Sequence, residues 1–486
     1  MQAHYNRPMP NTLVKSLGKS HLLLLLIAFL YAADQLLSLP AAPIIEPDSL
    51  SYISFYPIRT AGYPIFLKIF TPELSITLQV LVFTASLLYL AIETLKNTGN
   101  VLPATALMIL IISNAELNSY HSRIMTESLY TSLVMLFLGA MIRFTRSPTW
   151  QLGAVIGLIA GITATVRPTA YALAPILAAI PLISGQPGSP KTRAYLLTAV
   201  ILVMVSVIGI ERAYTSNYHG ARATSLAGRH FFAKAAMIDV PPVQQPTTTP
   251  NSVGQRLAAA LEQDFRPVRD AVHGAPDLAS RSLMTLVYEV CIEYSCMDPI
   301  RNQMDLTHAA TDKAILSAGM SRLARAPLEY LNLSLIHYLR LIGKSNPTKY
   351  TAYQDYISSQ RPLPFEPDVT LLIPKPEALA KTVEGTPKFR PSIAACLTLV
   401  LALTGLLFVM TLRRPGRDLG IALLAAFVVH SSFTLTALIG VGEERYAMGQ
   451  WPAMMTSLVF LFWWAIHIIL KHFSRHPVLH FVTQLK

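Results

Sequence analysis

Charge is scarce in this chain. Asp, Glu, Lys and Arg make up 14% of its 486 residues, against roughly 25% in soluble domains. That scarcity argues against a soluble enzyme and against a charged, disordered chain. Cysteine is nearly missing, with only Cys291, Cys296 and Cys396 present. No Cys/His spacing of a zinc site occurs, and the only local pairing open to the chain is Cys291 with Cys296, which an oxidising compartment permits. No internal repeat is visible, which weakens an inverted-repeat transporter reading. No nucleic-acid-binding signature appears either. The formal net charge of +12 is therefore read as the excess of Lys and Arg expected in cytoplasmic loops of a membrane protein, and nucleic acid is excluded as a partner.

What the chain has instead is apolar sequence: 52% of its residues are hydrophobic, with a mean hydropathy of +0.43. A bilayer crossing needs about 20 apolar residues. Candidate spans fall at 20–39, 74–95, 99–115, 126–144, 149–166, 168–184, 194–212, 392–412, 418–440 and 448–470. The fold class is an all-α polytopic membrane protein, with about ten (10–12) crossings and a large, mostly helical outer segment. The first span is read as an uncleaved signal anchor. The third has a short apolar part and fits a tilted helix. With both termini inside, fourteen Lys and Arg fall on inner connections and tails and five on short outer ones, as the positive-inside rule requires. The localisation this implies is a cell inner (plasma) membrane.

Three regions follow. Residues 1–212 form an N-terminal transmembrane module, 213–391 an extracytoplasmic segment, and 392–486 the C-terminal transmembrane helices. The middle segment contains PPVQQPTTTP at 241–250, which reads as an extended linker, and helical patterns near 252–264, 277–295 and 305–344. The stretch 327–344 is amphipathic and predicts an interfacial helix, with Arg322, Arg325, Arg340 and Lys344 facing lipid headgroups or an anionic ligand.

Polar residues concentrate in the short outer connections. The first, 40–73, carries Glu46, Asp48, Arg59 and Tyr63; the second carries Glu116, His121, Arg123 and Glu127; the third is the turn at Arg167; the last holds Glu443, Glu444, Arg445 and Tyr446. Ionisable groups at membrane level are costly and mark sites. Arginines there suit bidentate capture of an anionic phosphate, and a carboxylate beside them suits acceptance of a hydroxyl proton. Plainer roles stand alongside. Asp48 occupies a helix N-cap position, and acids such as Glu46 are common before helices. Ser113 and Glu116 have capping-box spacing, and Glu127 complements a helix start. His121 suits a surface or hydrogen-bonding role. Arg167 can snorkel, Arg445 can pair locally, and Tyr63 and Tyr446 fit an interfacial aromatic belt. Asp34, near the outer end of the first span, is expected to face the bundle.

The ordered set Glu46-Pro47-Asp48-Ser49 with Tyr52, Arg59 to Leu67, Thr126 to Leu129, Arg167-Pro168-Thr169 and Glu444-Arg445-Tyr446 resembles the membrane glycosyltransferases of the GT-C superfamily. It is most similar to the bacterial branch containing the lipid A aminoarabinose transferase and the protein O-mannosyltransferases. The resemblance covers 20–212 and, more loosely, 392–470. It implies a polyprenyl-phosphate sugar donor, an extracytoplasmic acceptor (lipid, glycan or protein) and inversion at the anomeric carbon. It assigns Asp48 as general base and Glu127 as a second catalytic acid. Arg59, Arg167 and Arg445 become donor-phosphate ligands, and Tyr63, Arg123, Glu444 and Tyr446 substrate contacts, with Glu46 and His121 as further candidates. Pro47 separates Glu46 from Asp48, which argues against a metal-binding acid pair. No metal ligand or cofactor is assigned, and divalent-metal dependence stays open. A lipid-linked-sugar flippase and a ligase using a diphosphate-lipid donor are the alternative functions.

Overall fold

The structure is a computed structural model. It describes residues 11–183, 190–220, 226–240, 253–292, 308–344, 360–366, 369–374, 390–410, 415–440 and 445–473. The 241–250 linker, Cys296, Glu443 and Glu444 lie outside the described residues.

The first half runs through α1 (Asn11–Leu37), α2 (Ser49–Ile53), α3 (Gly62–Ile69), α4 (Pro72–Thr98), α5 (Val101–Ile112), α6 (Ala115–Ser119), α7 (Thr126–Arg146), α8 (Trp150–Val166), α9 (Leu173–Ile183) and α10 (Pro190–His219). The middle holds α11 (Leu226–Met237), α12 (Val253–Gln263), α13 (Arg266–His273), α14 (Leu278–Cys291), α15 (His308–Arg325) and α16 (Pro327–Ile342). The chain closes with α17 (Ile393–Met410), α18 (Arg417–Ile439), α19 (Arg445–Met448) and α20 (Trp451–Phe473). Two short antiparallel pairs, Gly343–Lys344 with Arg390–Pro391 and Gln360–Glu366 with Val369–Pro374, add strand to a chain the sequence reads as all helix.

Local signals set the helix ends. Thr71 caps α4 by accepting from the Leu74 N–H, Pro72 takes its first turn, and Gly99 ends it at φ +66°, the left-handed conformation glycine adopts without a Cβ penalty. Asn100 caps α5 and Thr149 caps α8. The third expected span is broken: α5 meets the following helical pair, Ala115–Ser122, at 60°. Asn114 caps the new helix through the Leu117 N–H, and Asn118 Nδ2 donates to the Ile112 carbonyl at 2.7 Å. Side chains thus satisfy backbone groups that the break exposes. Glu116 is exposed and forms no capping box with Ser113, because Asn114 holds the cap. The pattern over 305–344 is likewise two helices, divided at Pro327, whose missing N–H and ring exclude it from a helix interior.

Among the described residues, seven helices are long and apolar enough to cross a membrane, or eight counting the bent pair; α8 and Pro168–Ile180 are shorter and apolar. This is a membrane-spanning helical protein. Central α7 has 89% of its best span buried, while those of α1 and α10 are 17% buried and turn apolar surface outward. Water provides no drive to pack helices inside lipid, so close approach through small residues takes over. Gly157 and Gly161 do this on α8: a Cβ at Gly157 would stand 2.3 Å from the Val200 carbonyl oxygen on α10. Asp34 is exposed and accepts from its neighbour Gln35, so the expectation that it faces the bundle is corrected.

Residues 226–342 build a second core around Phe232, Phe265, Tyr288 and Cys291. Buried within this region, Glu289 lies 3.4 Å from Lys234 and 3.0 Å from His337. Burial alone would raise the Glu289 carboxyl, yet Lys234 and His337 hold it well below the usual carboxylate range. Helix α16 packs on α18, with the Tyr330 hydroxyl donating to the Leu438 carbonyl, and leaves Leu328, Leu331 and Leu335 exposed. Of the arginines expected to face headgroups, Arg325 is one-third exposed and pairs with Glu262, while the other two are buried. Arg322 is buried and donates to the carbonyls of Ala235 and Ile238, and Arg340 is buried and donates to that of Ser282. Ala235 and Ile238 lie at the end of α11, where carbonyls need donors, and Arg322 supplies them.

Candidate functional site

The loop after α1 is fixed from outside itself. Ile44 forms a parallel bridge with Arg123: its N–H donates to the Ser122 carbonyl at 2.8 Å, and its carbonyl accepts from Ile124 at 3.1 Å. Ser49 Oγ donates to the Ile124 carbonyl at 2.9 Å. The first loop and the segment before α7 are thereby one unit, and Glu46 pairs with Arg123 across it.

Asp48 stands at the N-cap position of α2, but its side chain makes no capping bond. Its carboxylate is turned to two guanidiniums: Oδ1 accepts from Arg59 Nη2 at 2.6 Å and Oδ2 from Arg445 Nη1 at 2.9 Å. Arg445 comes from the start of α19, 397 positions along the chain. Arg59 is held by its remaining groups, Nε donating to Ser51 Oγ at 2.8 Å and Nη1 to the Tyr52 hydroxyl at 3.1 Å, with its guanidinium 4.4 Å from the Tyr52 ring centroid. Burial by itself would raise the Asp48 carboxyl, but Arg445 and Arg59 outweigh it and hold it below the ordinary aspartate value.

Beside this triad, Glu127 lies 3.3 Å from Arg167 at the end of α8, and both are buried. The Arg167 guanidinium sits 4.4 Å from the Tyr446 ring, and that of Arg445 sits 5.6 Å from the same ring. Glu127, Arg167, Tyr446, Arg445, Asp48, Arg59 and Tyr52 thus form one continuous chain of contacts at one end of the bundle.

The Arg59–Leu67 stretch reaches this position because Gly62 has no side chain. A Cβ there would lie 2.5 Å from Thr165 Oγ1 and 2.7 Å from the Thr165 carbonyl, next to Arg167. Backbone cannot yield as a flexible side chain can. Gly62→Val is expected to cost about 1–3 kcal/mol through overpacking and to displace Arg59 from Asp48. Thermal unfolding in detergent checks this, with Gly18→Ala as the control, since nothing lies within 4 Å of a Cβ at Gly18. An unchanged melting temperature for Gly62→Val would remove the close-approach argument.

Other expected residues fall differently. His121 takes the hydrogen-bonding role, and does so buried: its ring nitrogens contact the Tyr31 hydroxyl at 2.8 Å and Ser128 Oγ at 2.7 Å. Tyr63 is fully buried, donates to Gln79 Oε1 at 3.0 Å and meets the Tyr52 ring edge-on, packing behind Tyr52. Glu444 is outside the described residues. Two supports escaped the sequence reading. Glu211 on α10 accepts from the Ala61 N–H at 2.9 Å, and Gln79 donates to the His121 carbonyl at 3.0 Å. Glu211 was detectable as an acid inside the apolar run of α10; Gln79 carried no comparable signal.

Comparison with protein-family models, curated proteins and solved structures returned no match. The site therefore rests on its own geometry. Its ion pairs join four arginines (Arg59, Arg123, Arg167, Arg445) to three acids (Glu46, Asp48, Glu127). Glu46 and Glu127 each take one arginine, and Asp48 takes two. At Asp48 the side chains retain partial exposure: 17% for Asp48 and 25% for Arg445. Two guanidiniums on one carboxylate can receive a second oxyanion. The carboxylate between them can accept a hydroxyl proton. Among the described residues, no three His, Cys, Asp or Glu side chains gather to hold a metal ion.

Proposed function

We propose that this protein is an integral-membrane glycosyltransferase of GT-C type, moving a sugar from a polyprenyl-phosphate donor to an extracytoplasmic acceptor. The observation that carries the reading is the pairing of one partly exposed carboxylate, Asp48, with two arginines drawn from opposite ends of the chain. In this reading all ten apolar segments cross, including the bent α5–α6 pair and the shorter α8 and α9. The cluster then opens on the periplasmic side of an inner membrane. Helix α8 has 17 residues, about 25 Å at 1.5 Å per residue, enough with modest bilayer adaptation.

The chemistry follows from exchange of partners. With no donor, Arg59 and Arg445 neutralise Asp48. The donor phosphate takes over part of both guanidiniums, and Asp48 becomes available to an acceptor hydroxyl. That oxygen attacks the anomeric carbon as its proton passes to Asp48. The bond from the anomeric carbon to the phosphate oxygen breaks with inversion, and the arginines stabilise the charge left on the lipid phosphate. Buried Glu127 and Arg167, through Tyr446, position Arg445.

The test uses the released carrier, so the sugar need not be known. Farnesyl phosphate is expected to bind the protein in nanodiscs, and farnesol is not. Arg445→Gln and Arg59→Gln should each weaken that binding at least about tenfold, or 1.4 kcal/mol. Equal binding of phosphate and alcohol, or no effect of either substitution, would remove the phosphate site. A flippase would retain phosphate binding and transport after Asp48→Asn, whereas a transferase loses turnover.

A further inference from the structure

Away from this cluster, α12 and α15 flank a half-open groove of about 360 Å³, a volume in the range of small-ligand sites. Alanines keep it open: Ala258 faces it from α12, and Ala314 and Ala318 from α15. The polar wall is Glu262, Arg322 and Arg325, with Ser317 and Ser321 above. Glu262 Oε1 accepts from Arg325 Nη2 at 2.7 Å and also pairs with Arg322 Nη1. Arg322 is 2% exposed and is locked by its bonds to the Ala235 and Ile238 carbonyls, while Arg325 is one-third exposed at the mouth.

The groove opens to solvent, with Ser317, Ser321 and Arg325 exposed along it. Here small residues leave room next to a fixed charge. Glu262 would be raised by its partial burial, but Arg322 and Arg325 hold it below the ordinary glutamate value, so the lining carries two guanidiniums against one carboxylate. Nearby Arg269 is directed to the Leu261 and Glu262 carbonyls and is flanked by Asp239 and Asp270. It leaves the balance along the groove unchanged.

We propose that this groove is a binding site for a small polar ligand bearing one oxyanion, carboxylate or phosphate, with hydroxyl groups for the two serines. Arg325 receives the oxyanion, and Arg322 fixes the carboxylate that orients Arg325. The site is separate from the Asp48 cluster and does not depend on the transferase reading.

Calorimetry on the full chain in phosphatidylcholine nanodiscs tests it, with glucuronate and inorganic phosphate as probes and glucose as the neutral control. At least one anionic probe should bind and glucose should not. Arg325→Gln should weaken that binding at least about tenfold, as should Ser321→Leu, which plugs the mouth and leaves the ion pairs intact. Arg445→Gln should leave this event in place, which separates it from any phosphate binding at Asp48. Nanodiscs containing phosphatidylglycerol distinguish the source. Loss of probe binding there assigns the site to a lipid headgroup, and retention assigns it to a soluble anion. No anionic binding by the wild type, or binding unchanged in both Arg325→Gln and Ser321→Leu, overturns the proposal.

Discussion

Asp48→Asn is expected, on the proposed transferase reading, to lower sugar transfer by about 10²- to 10⁴-fold, the usual contribution of a positioned general base. The amide keeps the shape of the carboxylate but cannot take the acceptor proton. Donor-phosphate binding should persist or tighten, because Arg59 and Arg445 no longer have a charged competitor. Release of polyprenyl phosphate from the sugar donor measures the first effect, and farnesyl phosphate affinity the second. Loss of both would make Asp48 a structural anchor; loss of neither would make it a bystander. The pH dependence has a definite sign. The two arginines lower the Asp48 carboxyl in the folded state, so it stays ionised below the ordinary aspartate range of about 4. The acid limb that this group imposes on kcat/KM should therefore lie below that range. Its contribution to stability is present above the unfolded value and is lost as pH falls through the lowered folded one. Asp48→Asn should abolish that acid-side dependence.

Arg167→Ala is expected to destabilise the fold by about 3–5 kcal/mol, the cost of breaking a buried ion pair and stranding its partner. The stranded group is Glu127, whose side chain is 2% exposed against 8% for Arg167. The substitution also takes a guanidinium from between the Tyr130 and Tyr446 rings. Thermal unfolding in detergent should show a large drop for Arg167→Ala. The double change Glu127→Gln/Arg167→Gln should recover much of it, since no uncompensated charge remains. A wild-type melting temperature for Arg167→Ala would mean that Glu127 has another partner. Activity separates roles further. If Arg167 acts by positioning Arg445 through Tyr446, the stable double variant should lose farnesyl phosphate affinity, and that loss should not add to the effect of Arg445→Gln.

Much of this arrangement was legible in the chain. Among the described residues, the apolar runs coincide with the seven helices long enough to cross a membrane, because length and hydropathy are constraints that lipid imposes directly. The grouping of Asp48, Arg59, Arg167 and Arg445 followed from where charges occur in a sequence that otherwise avoids them. The pairings were less legible. That Asp48 takes two arginines and Glu127 takes one is set by how α2, α8 and α19 meet, and no local pattern encodes it. The Asp48 cap was expected from propensity and fails because guanidiniums outbid a backbone N–H for a carboxylate. Residue type points Tyr63 to an interface and His121 to a surface or a hydrogen-bonding role; packing against Tyr31, Phe83 and Tyr52 buries both, and His121 keeps the hydrogen bonds. Arg322 and Arg340 looked like headgroup ligands because they flank an amphipathic stretch. The carbonyls they satisfy lie 58 to 87 positions away, beyond the reach of periodicity.

The most direct measurement is a density map of the protein in nanodiscs with a polyprenyl phosphate bound. The phosphate is expected about 3 Å from guanidinium nitrogens of both Arg59 and Arg445, with Asp48 beside it and the isoprenoid chain passing into the bilayer. A phosphate bound at the other end of the bundle, with the Asp48–Arg59–Arg445 contacts unchanged from those seen here, would contradict the account.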